Sequence, residues 1–314
     1  MQKSTWQTII CGCLLSMLTV QHSNVLSLSS RQEVAYSKAK VEKLSSGFKF
    51  IEGPVWDKRG FLLFSDISAN TIYKWTLNGQ TSIFRHPTGN SNGNTLDLEG
   101  RLITAGDDRR VVRTEKNSTL TVLAQRYGSK RLNSPNDVVV KSDGSIYFTD
   151  PPYGIGNEKE ELGFYGVYRR SPDGTVILLT KEMVRPNGLA FSPDEKKLYV
   201  SDSEQGHILV FPVASDGKLR KSKVFAQLQA PADKGVPDGM KVDVQGNVYC
   251  SGPAGIWVFS PSGQLLGKII VPEVVTNLAW GDKDYKSLYI TATQSLYRIR
   301  LNVRGVPPGT PVLS

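Results

Sequence analysis

Six short blocks of this 314-residue chain carry the residue types that hold cations and move protons: Glu52-Gly-Pro, Asn92-Gly-Asn, Pro135-Asn136-Asp137, Pro186-Asn187-Gly188, Pro237-Asp238-Gly239 and Thr276-Asn277. Asn136, Asn187 and Asp238 follow one another at intervals of 51 residues. Equal spacing means that equivalent carbonyl or carboxylate oxygens come from successive copies of one unit. With Glu52 they make two carboxylates and two amides. Hard cations such as Ca²⁺ or Mg²⁺ take such oxygen donors and leave further positions to water or substrate. Turns favour Asn, Asp and Gly for conformational reasons alone, and a polar channel without metal would use the same residues, but turn propensity does not account for Glu52.

The units themselves are legible. Each copy runs as a polar turn, an apolar strand, a Gly or Lys turn, and a second β-branched or aromatic strand. Second strands read Phe-Leu-Leu-Phe-Ser-Asp at 61–66, Ser-Ile-Tyr-Phe-Thr-Asp at 145–150 and Leu-Tyr-Val-Ser-Asp at 198–202. Third strands are expected at 71–75, 111–114, 166–169, 208–211, 256–259 and 295–299, and fourth strands in most copies. Four short strands recurring at intervals of roughly forty to fifty residues are the pattern of propeller blades. The expectation is an all-β, six-bladed β-propeller. The sixth copy lacks a fourth strand, because after Leu301 the chain turns into Gly305-Val306-Pro307-Pro308, and prolines disfavour a central strand. Lys40 to Leu44, near the N-terminus, is expected to supply it, closing the ring and removing an open edge. Only Glu158 to Leu162 is helix-compatible, inside an insertion from Tyr153 to Phe164 expected to loop over one face. In such a ring the innermost strands line a tunnel, and the six blocks meet at one end of it.

Other chemistry finds little support. Of three histidines, His22 lies in the N-terminal segment, leaving His86, which precedes the second block, and His207. No nucleophile elbow, phosphate-binding loop or zinc spacing is present. Lys3, an apolar stretch from Thr8 to Val20 and a polar segment from Gln21 to Ser30 have the layout of a secretory signal. The reading is a leader over residues 1–30, a single propeller domain over 31–314 and an exported, periplasmic or secreted, product with no stable membrane insertion after leader removal. An uncleaved anchor is the alternative, although the apolar run is shorter than the ~20 residues of a spanning helix. Cys11 and Cys13 fall in the leader, so only Cys250 remains and no disulfide can form within the mature chain. The net charge of +9 is scattered over turns such as Lys196, Lys197, Lys218 and Arg220. Without an aromatic-interleaved basic module, no nucleic-acid partner is expected.

Phe50-Ile-Glu-Gly-Pro-Val-Trp56, Gly89-Asn-Ser-Asn-Gly-Asn-Thr95, Ser134-Pro-Asn-Asp-Val138, Thr149-Asp-Pro-Pro-Tyr-Gly154, Arg185-Pro-Asn-Gly-Leu189 and Val236-Pro-Asp-Gly-Met240 occur in that order. In this the chain resembles the gluconolactonase branch of the SMP-30/gluconolactonase/regucalcin-like family, from about Leu44 to Leu301. The resemblance implies a six-bladed propeller, one tunnel-bound divalent cation (Ca²⁺ first, with Mg²⁺, Mn²⁺ or Zn²⁺ as alternatives) and hydrolysis of a small-molecule sugar lactone or related lactone. By position, Glu52, Asn187 and Asp238 match the family's metal ligands. Asn136 matches a residue near metal and substrate, and Asp238 also matches the acid/base residue. Some members place an arginine where this chain has Ser134, so sugar contacts are expected from Arg131, Arg185, His86 or Asn277. Around the mouth, His86, Asn92, Asn136, Tyr153 and Asn277 are the expected substrate-binding set. The cation would polarise the lactone carbonyl while Asp238 assists an attacking water. Two other readings stay open: a non-catalytic ligand-binding propeller, and an esterase or phosphoesterase using the same metal.

Overall fold

β-branched and aromatic runs separated by Gly, Asn and Asp turns form strands that associate antiparallel in sets of four. The computed structural model describes residues 40–156, 159–230, 232–308 and 310. The proposed leader, with Cys11 and Cys13, lies outside the described residues. In the first blade the order is Ile51–Asp57, Phe61–Asp66, Thr71–Thr76 and Thr81–Arg85, each strand paired with the next. Four further blades repeat this order, with innermost strands Ser91–Leu96, Val138–Val140, Pro186–Phe191 and Met240–Val242. The six sheets make the expected six-bladed β-propeller.

The sixth blade closes the ring. Its innermost strand is Val275–Gly281, followed by Ser287–Ala292 and Ser295–Arg300, and its outer strand is Glu42–Ser46 from the other end of the chain. That strand starts and ends two residues later than the expected Lys40 to Leu44. Side-chain partners set the register: Glu42 pairs with Arg298 at 2.8 Å, Lys43 with Glu273 at 3.2 Å, and Val41 and Leu44 pack on the apolar core of the blade. Two further differences are small. A hairpin of Arg126–Tyr127 with Lys130–Arg131, not expected from the sequence, links the second and third blades. The described part of the helix-compatible segment, residues 159–162, is irregular.

The core lies between blades rather than at one centre. Trp56 of the first blade stacks on Tyr289 of the sixth at 5.3 Å, and Tyr249 of the fifth meets Trp280 of the sixth edge-on at 5.1 Å. Such contacts make each blade a wall for the next, so the seam at which the two chain ends meet bears on the whole ring. Glu273 pins that seam: it accepts hydrogen bonds from Ser295 Oγ at 2.6 Å, Tyr297 Oη at 2.8 Å and Lys43 Nζ at 3.2 Å. Burial alone would raise its pKa, but these donors and the Gln294 N–H prevail and hold it down at about 2, against an ordinary 4.5. A carboxylate depressed in the folded state stabilises above its unfolded value and loses that contribution as pH falls through the folded value. Glu273→Gln is therefore expected to cost about 1–2 kcal/mol at neutral pH, after allowing for its partial exposure. The variant should also show a flatter fall in stability between pH 4.5 and about 2. Urea unfolding of both proteins across that range is the check.

Candidate active site

Local irregularity begins the site. Pairing with the second strand slips between Glu52 and Val55, Ser91 and Asn94, Pro186 and Leu189, and Val275 and Asn277. In the other two blades pairing starts only after the block, at Val138 and Met240. Bulges re-aim side chains that a regular pleat would send sideways. The blocks are thus freed from the ladder at the same level of every blade.

Neighbouring blades then fix them. The Thr149 hydroxyl donates to the Asn187 carbonyl at 2.7 Å, Ser201 to the Asp238 carbonyl at 2.8 Å, and Thr276 to the Ile51 carbonyl at 2.7 Å. The aspartates after Thr149 and Ser201 hold the approach to their own blade's block: Asp150 accepts the Asn133 N–H at 2.8 Å, and Asp202 those of Val184 and Arg185 at 2.7 and 3.1 Å. A Ser/Thr-Asp strand end therefore positions two successive blocks. The glycines after Asn187 and Asp238 let the blocks close in. A Cβ on Gly188 would lie 2.2 Å from the Asp238 carbonyl oxygen, and one on Gly239 2.1 Å from Asn277 Cγ.

The result is a cluster of three carboxylates, one more than the sequence reading placed there. Glu52 is 3% exposed and accepts from the Gly53 N–H at 2.6 Å and Asn277 Nδ2 at 2.9 Å. Burial and the charge of Asp137 push its pKa up to about 7, against the opposing pull of Asn277, Gly53 and Lys241. Asp238 keeps part of its surface open. Its carboxyl is also raised, first by burial and then by the charges of Glu52 and Asp137, while Asn187 and the Gly239 N–H act against the shift. Asp137 is raised by burial, with Lys241 the leading opposing influence. Three acids that resist ionising together are a place where a cation would be welcome. Two buried acceptors there, Asn187 Oδ1 and Asp137 Oδ2, have no hydrogen-bond partner, and such atoms are rare unless something else satisfies them. Among the described residues, no three His, Cys, Asp or Glu side chains gather closely enough to hold a metal by themselves. A cation here would need amide donors as well, and the free Asn187 Oδ1 is one.

Of the expected residues, Glu52, Asn187 and Asp238 are brought together. Asn136 is buried beside them, its carbonyl taking the Gly93 N–H at 2.8 Å, and the charge coupling runs through its neighbour Asp137. Tyr153 adjoins the group: burial raises its phenol, the Asp238 charge adds to the shift, and Ser203 and Asn187 act against it. Arg185 lies over the Tyr153 ring at 5.8 Å, and Ser134 bonds Asp107 at 2.8 Å and the Gly154 N–H at 3.0 Å, tying down the loop that carries Tyr153. Asn92 is buried, and its carbonyl accepts from Asn94 Nδ2 at 3.1 Å. Asn277 is 2% exposed with its amide engaged by Glu52, Lys241 and the Leu278 N–H, so it braces the carboxylates. His86 is exposed, its imidazole bonded to the Asn70 carbonyl and Thr71 Oγ1, both at 3.1 Å. His207 is half-buried and opens the strand His207–Pro212. Cys250 is fully buried and its thiol is raised by burial, as expected of an inert core cysteine. Asp137 and Lys241 are what the sequence reading missed. The signals were a second acid inside the Pro-Asn-Asp block and a lysine between Met240 and Val242 on an inner strand.

At the far end of the same inner strands lies a separate cavity lined by Trp56, Val140, Ala190 and Trp280 and bordered by Val306 and Pro307. Its walls are largely apolar, and the carboxylates are not part of them.

Comparison with known proteins agrees with this geometry. A family model for the SMP-30/Gluconolactonase/LRE-like region matches residues 50–294. The chain is 38% identical to a gluconolactonase of Zymomonas mobilis over 297 residues, 84% of this chain and 82% of that protein. It superposes on the crystallised gluconolactonase XC5397 of Xanthomonas campestris with a TM-score of 0.78 and 35% identity, covering 85% of this chain and 92% of that one. A calcium-binding regucalcin of Agrobacterium tumefaciens, at 18% identity, shares the fold with a TM-score of 0.75 over 88% of this chain and 98% of its own. With six blades in the expected order and the blocks assembled at one tunnel end, the chain belongs to the SMP-30/gluconolactonase/LRE-like family.

Proposed function

We propose that the protein is a lactonase that opens a sugar lactone or a related one at the carboxylate end of its tunnel, with a divalent cation, Ca²⁺ in the first instance, held there. The observation that carries the reading is the charge coupling of Glu52, Asp137 and Asp238, with Asn187 acting on Asp238 and keeping an unpartnered Oδ1. Kinship with gluconolactonases supplies the substrate class. Glu52, Asn187 and Asp238 would hold the cation, with Asn136 adjoining. When bound, such an ion supplies Lewis-acid polarisation of a carbonyl and charge stabilisation for the oxyanion.

The remaining work falls to the chain. Asp238, a residue that keeps part of its surface open, accepts the proton of the attacking water at a carboxylate oxygen. A carboxylate placed within reach of the water can take its proton. Asn277 and the Gly53 N–H keep Glu52 in place. Tyr153 covers Asn187 from the loop above and offers a phenol to a substrate hydroxyl, while Arg185 adds a cation at the rim.

Chelated full-length protein, assayed on a panel containing gluconolactone, other sugar lactones, a simple ester and a phosphoester, is expected to lose at least about a hundredfold in kcat/KM on lactones. Activity should return with Ca²⁺. Undiminished hydrolysis after chelation would remove the metal from the reading, and lactone binding without turnover would leave a binding propeller. The order of charged, apolar and polar segments in residues 1–30 supports a separate proposal, export of a propeller domain spanning 31–314. N-terminal sequencing of exported material tests it, and an intact Lys3 would count against it.

A further inference from the structure

Lys241 is polar where its strand neighbours Met240 and Val242 are buried and apolar. Its ammonium donates to the Met240 carbonyl at 2.9 Å and to Asn277 Oδ1 at 3.3 Å. The other end of the Asn277 amide, Nδ2, donates to Glu52 Oε2 at 2.9 Å. The Leu278 N–H, on Asn277 Oδ1 at 2.8 Å, fixes which end of the amide faces the lysine. Ammonium, amide and carboxylate thus form one oriented chain. Behind the lysine stands the apolar cavity, whose wall it shares with Val242 and Trp280. The charge has carboxylates on one side and hydrocarbon on the other.

We propose that Lys241 is the tunnel's built-in counter-cation, which with one divalent ion balances Glu52, Asp137 and Asp238 and so limits both the number of ions bound and the tightness of binding. The inference rests on the cation reading above and deepens it. Fully ionised around a cation, the three carboxylates would carry three negative charges; a divalent ion meets two and the ammonium the third. Buried charge left unbalanced is costly. The lysine therefore preserves the site while it is metal-free, and it repels an incoming ion. An enzyme whose substrate must displace water beside the cation gains nothing from holding that cation irreversibly.

The test uses the full-length protein, chelated and then titrated with Ca²⁺ by calorimetry at about pH 9, well above the ordinary carboxylate range. Lys241→Arg keeps the charge and Lys241→Met removes it. The parent and the arginine variant should bind one equivalent with similar affinity. The methionine variant should bind about tenfold more tightly, and calcium should raise its melting temperature by more than it raises the parent's, because its metal-free state is the less stable. Lys241→Gln serves if methionine prevents folding. Equal or weaker affinity in a folded neutral variant overturns the proposal. A parent that binds no calcium at all removes the cation reading, and this inference with it. The two failures are therefore told apart by the parent's own titration.

Discussion

Asp238→Asn is expected to lower kcat/KM on the best lactone by about three orders of magnitude while the sheet signal in circular dichroism is unchanged. The substitution preserves shape and the carbonyl bonded by Ser201. It removes one of three mutually repelling charges, so the fold has no reason to suffer and the metal-free protein should become slightly more stable. On the proposed reading, catalysis loses a metal ligand and the proton acceptor together. Glu52→Gln separates these roles. Glu52 is buried and braced by Asn277 and Gly53 rather than open to the mouth, so its loss should weaken Ca²⁺ binding by about two orders of magnitude and leave the base intact. Excess calcium should then restore much of the rate in Glu52→Gln and little in Asp238→Asn. Isothermal titration for affinity and steady-state kinetics across calcium concentrations are the measurements. Wild-type rates in both chelated variants would remove the metal-hydrolase reading.

Deletion through Ser46 should lower the melting temperature by about 10 °C relative to deletion through Ser30, corresponding to a loss of about 3–5 kcal/mol. The longer deletion takes away the outer strand of the sixth blade, including Leu44 on the core and the ion pairs of Glu42 with Arg298 and Lys43 with Glu273. It leaves Ser295–Arg300 as an open edge able to pair with another chain. Concentration-dependent aggregation of the longer deletion should accompany the drop. Equal melting temperatures for the two truncations would show that the seam contributes little to the ring.

The blade count, the strand order and the six oxygen-bearing blocks were legible in the sequence because they depend on local rules. β-Branched and aromatic runs between Gly or Asp turns declare strands, and a 51-residue interval between Asn136, Asn187 and Asp238 declares equivalence between blades. The expected outer strand from the N-terminus followed from a negative local fact, the prolines after Leu301. What each block residue does once the ring closes was not local. Asn277 sits in a block like the others, yet closure places it between Glu52 and Lys241, residues 225 and 36 positions away, and it becomes a brace. Asp137 counts as a third acid only because burial and its approach to Glu52 couple their charges across blades. The glycines after the ligands read as turn formers, whereas Gly188 and Gly239 are needed for the approach of the next blade's backbone or side chain. Sequence alone determined which oxygens could meet, through periodicity. Tertiary structure decided which of them share a charge balance, because electrostatic coupling depends on distance and burial, and neither has a period.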